Sequence, residues 1–154
     1  MNPVAPIALQ VRAADLADAG ERARLDAYVA DHPDGTLFHR PQWLRAIEQG
    51  CGQHAHYLLA ERAGAVVGAL PLTEIRSRLF GKAFVSAGFG TGGGILADSD
   101  AAARALGHAG WTLARRRGCP SLELRGGPTP DKWTERGGTY ANFARELPAG
   151  PDAL

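Results

Sequence analysis

A mixed α/β fold, a central sheet flanked by helices, is what this sequence predicts, and three observations carry the prediction. Segments with strand-like alternation are interleaved with segments of helical period. Two strand-like segments, 54–62 and 65–76, are joined by Ala63-Gly64, the mark of an antiparallel hairpin. A third opens at Lys82 and empties into Gly88-Phe89-Gly90-Thr91-Gly92-Gly93-Gly94, where no side chain blocks the backbone and a central strand can hand the chain to a ligand.

In chain order, Pro6 to Arg12 alternates apolar and polar through Ile7, Leu9 and Val11, the pattern of a half-buried strand. From Asp15 the period becomes helical, with Leu25, Tyr28 and Val29 on one stripe, until His32-Pro33-Asp34-Gly35, because the residue before proline is pushed out of the helical region. Pro41 suits the first turn of a second helix, Trp43, Leu44 and Ile47 share its face, and Gly50 is placed to stop it. On the return strand of the hairpin, Pro71 cannot donate to a ladder and, with Gly68 nearby, predicts a bulge or an edge position on one side. Asp98-Ser99-Asp100 supplies cap chemistry for a helix to about Arg117, with Leu106, Gly110 and Leu113 inward and Gly118 as the stop. Ser121 to Leu124 reads as a buried strand, Arg125 to Gly138 as a long loop, and Tyr140 to Leu147 as a last strand without a clean apolar face.

Composition bounds the function. The 154 residues carry a formal net charge of +1, with 45% hydrophobic and 21% charged residues. That is one ordinary globular domain, without the basic excess of an independent nucleic-acid binder. Apolar runs are short and interrupted, so no membrane span is expected, and the absence of a basic start followed by an apolar block predicts a cytoplasmic protein. Cys51 and Cys119 stand far apart without metal-ligand spacing, so neither a metal site nor a disulfide is expected. Arg115, Arg116 and Arg117 complement the dipole at a helix C-terminus.

Several residues are candidates for chemistry. Gly88, Gly90 and Gly93 spell Gly-x-Gly-x-x-Gly, but a dinucleotide fingerprint requires a helix directly after the third glycine and an acidic residue some twenty positions on, and Ile95-Leu96-Ala97 intervenes. Gly90, Gly92 and Gly93 let backbone approach a ligand, or merely let the chain turn. Glu74, on the return strand near the cleft, is the carboxylate available as a general base, an exposed strand residue being the alternative. Arg76 and Arg78 can meet phosphate or form a solvated turn. Arg125, at the end of the last core strand, stands where α/β sheets place ligand groups, or in a salt bridge. Arg40 beside the start of the second helix can clamp an anion together with the helix dipole, and Trp43 can border the same ligand or fill the core. His39 joins them or satisfies local backbone. No nucleophilic triad is recognisable.

The ordered set Phe38-His39-Arg40-Pro41-Gln42-Trp43, His56-Tyr57-Leu58-Leu59-Ala60, Val67-Gly68-Ala69-Leu70-Pro71-Leu72, Arg76-Ser77-Arg78-Leu79-Phe80-Gly81 and Glu123-Leu124-Arg125-Gly126-Gly127 resembles the first half of FemAB-like proteins, nearest to those found with exosortase and exopolysaccharide systems. The resemblance implies a GNAT-like (acyl-CoA N-acyltransferase) fold with a mostly antiparallel sheet over residues 1–147, the first of two such domains, and a linker at 148–154 toward the second. It implies an aminoacyl- or acyltransferase that forms an amide on a cell-envelope, peptidoglycan or exopolysaccharide precursor by direct attack of an amine. The segment holding Arg40 and Trp43 then borders the acceptor's phosphate and sugar groups, and Arg76 and Arg78 face phosphate or the second domain. No cofactor is expected on this half, which lacks the pyrophosphate loop of acetyl-CoA enzymes. The donor is an aminoacyl-tRNA, held through the second domain, or an acyl thioester. An isolated half would expose an apolar face and self-associate. A non-catalytic GNAT-like module for a ligand or partner is the alternative.

Overall fold

A computed structural model describes residues 8–79, 81–138 and 143. Strand β1 (Gln10–Ala13) leads to helix α1 (Ala19–Asp31), a single 3₁₀ turn (Leu37–His39), helix α2 (Pro41–Cys51), the hairpin β2 (His54–Arg62) and β3 (Ala65–Ser77), then β4 (Gly81–Ser86), β5 (Leu96–Ala97), helix α3 (Asp100–Arg116) and β6 (Leu122–Glu123).

Local chemistry explains most boundaries. The Asp18 carboxylate accepts from the Glu21 amide and starts α1, and His32, extended before Pro33, ends it while still donating its amide to the Tyr28 carbonyl. Pro41 opens α2 as expected, but the helix runs through Gly50 and ends at Gly52, whose φ of +63° closes it. Gly50 therefore fails as the stop, since helical geometry tolerates it and only the second glycine adopts the left-handed conformation. Ala63 and Gly64 both have positive φ, the requirement of a two-residue hairpin turn that matches strand twist. Ser99 caps α3, and Gly118 follows its last turn at φ +71°.

The sheet order is β1-β2-β3-β4-β6, antiparallel except for the β4–β6 pair, with β5 added to the start of β3. Pro71 lies where β3 exchanges partners. Gly68 and Ala69 pair with β5, and pairing with β4 begins at Leu72. The Pro71 carbonyl accepts from the Ala87 amide on that side. In an antiparallel strand a residue's N–H and C=O point the same way, so the missing donor faces the gap between β5 and β4 and costs no bond to β2. The expected bulge is present nearby, between Ala60 and Glu61, opposite Gly68 to Val66.

Each face of the sheet has its own core. Tyr57, Leu59 and Ala69 pack with Leu25 and Val29 of α1 and Leu44 of α2. Leu58, Ala60, Leu70, Leu72 and Phe84, alternating with them, pack with Ala102, Ala103, Leu106 and Ala114 of α3. Alternation on β3 thus sends Thr73 toward α2 and Glu74 toward α3. The strand expected at 140–147 falls outside the described residues except for Phe143.

Candidate functional site

Parallel pairing of β4 with β6 brings the C-terminal ends of the two strands side by side, and the glycine-rich loop leaves from there. At this junction the Arg125 amide donates to the Ser86 hydroxyl at 2.7 Å. The turn after Ser86 places two residues with side chains, Ala87 and Phe89, at φ of +45° and +62°, a conformation L-residues avoid unless the surroundings impose it.

What imposes it is a ring of bonds to the loop backbone. The Thr73 hydroxyl accepts from the Gly88 amide (3.1 Å), and the Trp43 indole donates to the Gly88 carbonyl (3.2 Å). Arg125 donates to the Gly90 carbonyl (3.0 Å) and Thr36 to that of Gly92 (2.9 Å). His39, only 3% exposed, closes the ring: its Nδ1 accepts from the Thr36 amide at 3.1 Å, and its imidazole also bonds to the Gly94 backbone. Burial lowers its pKa to about 4, so the ring is neutral and serves as a fastener between the 3₁₀ turn and the loop. Phe38 stands edge-on to Trp43, with centroids 4.9 Å apart.

The same packing settles what the glycines do. A Cβ on Gly93 would come within 2.0 Å of the Ala87 Cβ, one on Gly94 within 1.7 Å of the Gly126 carbonyl oxygen, and one on Gly90 within 2.6 Å of the Phe38 ring. Those spaces are filled by this chain's own atoms, a side chain first at Gly90 and Gly93 and backbone at Gly94, so the packing requires the glycines. Gly92 is different: its nearest neighbour would lie 3.9 Å away. The loop runs on through Gly94 and β5 before α3 starts at Asp100, so the Gly-x-Gly-x-x-Gly spelling lacks the helix a dinucleotide site needs.

The structure therefore brings His39, Trp43, Gly90, Gly92, Gly93 and Arg125 together around one loop, with Arg40 beside them. Arg40 occupies the N-cap position of α2 but turns toward α1, with Nη1 3.4 Å from an Asp26 carboxylate oxygen. Arg125 also pairs with Glu123 at 2.7 Å. Arg78 is exposed in the β3–β4 turn, at the opposite end of β4 from the glycine loop.

Glu74 is corrected on both counts. It is neither an exposed strand residue nor a free base near the loop: its side chain is fully buried on the α3 face. Three donors converge on it: Arg76 Nε at 2.8 Å, Arg117 Nε at 2.9 Å and His56 Nε2 at 3.2 Å. Burial raises its pKa, but the three bonds outweigh burial and hold it at about 2, which leaves little affinity for a substrate proton at neutral pH. Arg76 is occupied by the same carboxylate. His56 and Arg117 escaped the sequence reading, although an acidic residue ending a long buried run on β3 signals that basic partners must exist. Thr36 and Thr73, which carry no sequence signal at all, were missed with them. Among the described residues no group of three His, Cys, Asp or Glu side chains is placed to hold a metal ion, and no helix is long and apolar enough to cross a membrane.

No protein-family model and no curated protein matches the sequence. Solved structures do match. A ribosomal-protein-alanine N-acetyltransferase from Brucella melitensis biovar Abortus superposes with a TM-score of 0.57 at 19% identity, covering 91% of this chain and 99% of that one. A GNAT family acetyltransferase from Staphylococcus aureus gives 0.55 at 12% identity, covering 89% and 100%. The fold is that of GNAT acetyltransferases. A transcriptional regulator from Bacillus halodurans matches nearly as well, with a TM-score of 0.54, 18% identity and coverage of 88% and 100%. The GNAT-like sheet thus accounts for the β4–β6 junction and the loop that leaves it, and at these identities the likeness concerns architecture alone.

Proposed function

We propose that this chain is the acceptor-side half of a FemAB-like aminoacyl- or acyltransferase that forms an amide on a cell-envelope or exopolysaccharide precursor. The observation that carries the reading is the rigid cradle where β4 and β6 end. Arg125 and Trp43 bond there to one loop, at the sheet end where α/β folds present ligands, and Arg40, at the N-cap position of the helix that carries Trp43, pairs with Asp26 of α1. That its structural neighbours include acetyltransferases favours acyl transfer. Direct attack by a neutral amine needs positioning and a place for the oxyanion more than a nucleophilic side chain, and a fastened loop supplies positioning. Arg40, half exposed, is free to exchange Asp26 for a phosphate. The donor is an aminoacyl-tRNA or an acyl thioester brought by a second domain.

A second reading, a GNAT-like module that recognises a partner without chemistry, is favoured by two observations. The loop's polar contacts run inward, and Leu37 and Phe89 on the segments that meet there are 58% and 57% exposed. The transcriptional regulator among the neighbours fits it as well.

Calorimetric titration with a nucleotide-linked muropeptide separates the two. The acceptor-side reading expects saturable binding by the wild-type chain, weakened ten- to hundredfold in Arg40→Ala, the value of a charge-assisted bond at about 1.5–3 kcal/mol. Absence of binding by either protein overturns it in favour of the module.

A further inference from the structure

The α3 face holds a feature that the cradle does not use. Where β1 stops at Ala13, an open cleft of about 510 Å³ wraps the sheet edge, lined by β1, β2 and α3 on one face and by Ala14, Leu16 and Glu48 on the other, and His56 forms part of its wall. Its floor is apolar, with Val11, Leu58 and Leu113, and its α3 wall carries His108, Thr112 and Arg116. His56 is held from behind. Its Nε2 bonds to the buried Glu74 carboxylate, and its ring lies against Phe84 at a centroid distance of 5.1 Å. Because Glu74 is ionised, the proton of a neutral imidazole sits on Nε2, and Nδ1 carries the lone pair. Nδ1 has no hydrogen-bond partner among the described residues, and the side chain remains 23% exposed.

We infer that His56, oriented by Glu74, is a general base in a second site, the part of this cleft lined by β1, β2 and α3, and that this site hydrolyses small esters with an apolar acyl chain. The arrangement is that of a carboxylate holding an imidazole in one tautomer so that its other nitrogen accepts a proton. The acyl chain lies on Val11, Leu58 and Leu113. Water attacks the ester carbonyl as Nδ1 takes its proton, the carbon–oxygen ester bond breaks, and the acid and alcohol leave. The imidazolium, stabilised by Glu74, gives that proton to the departing alkoxide, which leaves as the alcohol. The Thr112 hydroxyl and the Arg116 guanidinium, neither of them bonded to another described residue, are the donors on the α3 wall for the developing oxyanion.

The charged and titratable surroundings of His56 are Glu74 on β3, His54 on its own strand, Arg116 and His108 on α3, Arg117 just after it, Glu48 on α2, and Arg12 on β1. Arg12 is tied to Glu21 and Glu61. Burial outweighs Glu74 and lowers the His56 pKa below its ordinary 6.5, so the base is in its active, neutral form at pH 7.

The inference stands apart from the acyltransferase reading and is tested without it. The test is hydrolysis of p-nitrophenyl hexanoate and p-nitrophenyl acetate by the whole chain, compared with free imidazole at equal concentration. The wild type is expected to exceed imidazole, to prefer the hexanoate, and to gain activity with rising pH through one ionisation below 6.5. His56→Gln, whose amide can keep the bond to Glu74 and so preserve the fold, is expected to lose about a hundredfold, the usual value of a general base. Glu74→Gln, as a positioning change, is expected to lower kcat and shift the pH profile with KM little altered. Wild-type activity no greater than imidazole, or a His56→Gln rate equal to wild type, overturns the assignment whatever Glu74→Gln does.

Discussion

At the C-terminal ends of β4 and β6, Thr36, Trp43, Thr73 and Arg125 all bond to backbone atoms of residues 88–92. On the α3 face, His56, Arg76 and Arg117 all bond to one carboxylate. The first cluster distributes its donors over many acceptors and so fixes the course of a chain that has no regular structure of its own. The second concentrates three donors on a single group and so fixes the orientation of side chains on strands that are already rigid. The difference teaches where each is vulnerable. The cradle depends on empty space at its glycines and on bonds to neutral backbone groups, whereas the hub depends on one charge.

The largest effect should come from filling that space. In Gly94→Ala the new methyl meets the Gly126 carbonyl at 1.7 Å, a backbone atom that cannot rotate away, so the loop or the 125–127 turn has to move. We expect a loss of about 3 kcal/mol or more in urea denaturation, at or beyond the upper end of overpacking costs. Gly92→Ala, with open space and no positive φ, should change stability by under about 1 kcal/mol. Equal effects at the two positions would mean that the loop is loose and the cradle is not a rigid unit.

How much of this was legible beforehand follows from the same contrast. The hairpin boundaries of β2, the cap of α3 and the mixed sheet could be read because they depend on neighbours in sequence, a Ser before a helix and two turn residues between alternating runs, whereas α1 starts not at Asp15 but behind the Asp18 cap. The glycine run could be read as a bend, but its reason could not, because the atoms that exclude a Cβ from Gly93 and Gly94 belong to Ala87 and Gly126, and only the fold brings Gly126 there. Arg125 could be placed at a strand end, whereas its bond to Gly90 spans 35 residues. Glu74 stands out in the sequence, but alternation along β3 gives its face and not the arginine that arrives from the end of α3, 43 residues later. Gly50 and Gly52 illustrate a finer limit: both are glycines at the end of a helical stripe, and the choice between them rests on how far the α2 backbone runs.

Acid should take the two regions apart in order. The His39 pKa is lowered from 6.5 to about 4 in the folded chain, so the unfolded chain binds its proton first, and the stability due to neutral His39 is full above pH 6.5 and lost as pH falls to about 4. The Glu74 pKa is lowered from 4.5 to about 2, so its contribution is full above pH 4.5 and lost as pH falls toward 2. Each shift corresponds to at most about 3 kcal/mol at 1.36 kcal/mol per pH unit, the Glu74 figure being smaller in practice because its arginine partners are partly solvated. Urea titrations at successive pH values should therefore show two stages, the upper one reduced in His39→Gln, with His56, whose pKa burial also lowers, supplying the rest of it, and the lower one reduced in Glu74→Gln. A single stage in the wild type centred below pH 4 would assign acid sensitivity to the hub alone.

The smallest effect is also the sharpest probe of how the two clusters differ. Trp43→Phe keeps an aromatic ring against Phe38 but removes the indole N–H, leaving the carbonyl of buried Gly88 without that donor. An acceptor stranded in this way costs about 1–2 kcal/mol. Arg117→Met removes a stronger, charge-assisted bond, yet Glu74 retains Arg76 at 2.8 Å and His56 at 3.2 Å, so the carboxylate is not stranded, and the arginine lost was 41% exposed. If distribution against concentration of donors is the real distinction, the neutral bond at Trp43 should prove worth at least as much as the ionic one at Arg117 when both variants are unfolded in urea at pH 7. A clearly larger loss in Arg117→Met would show that the hub's charge balance, more than the number of bonds left on each acceptor, sets the cost.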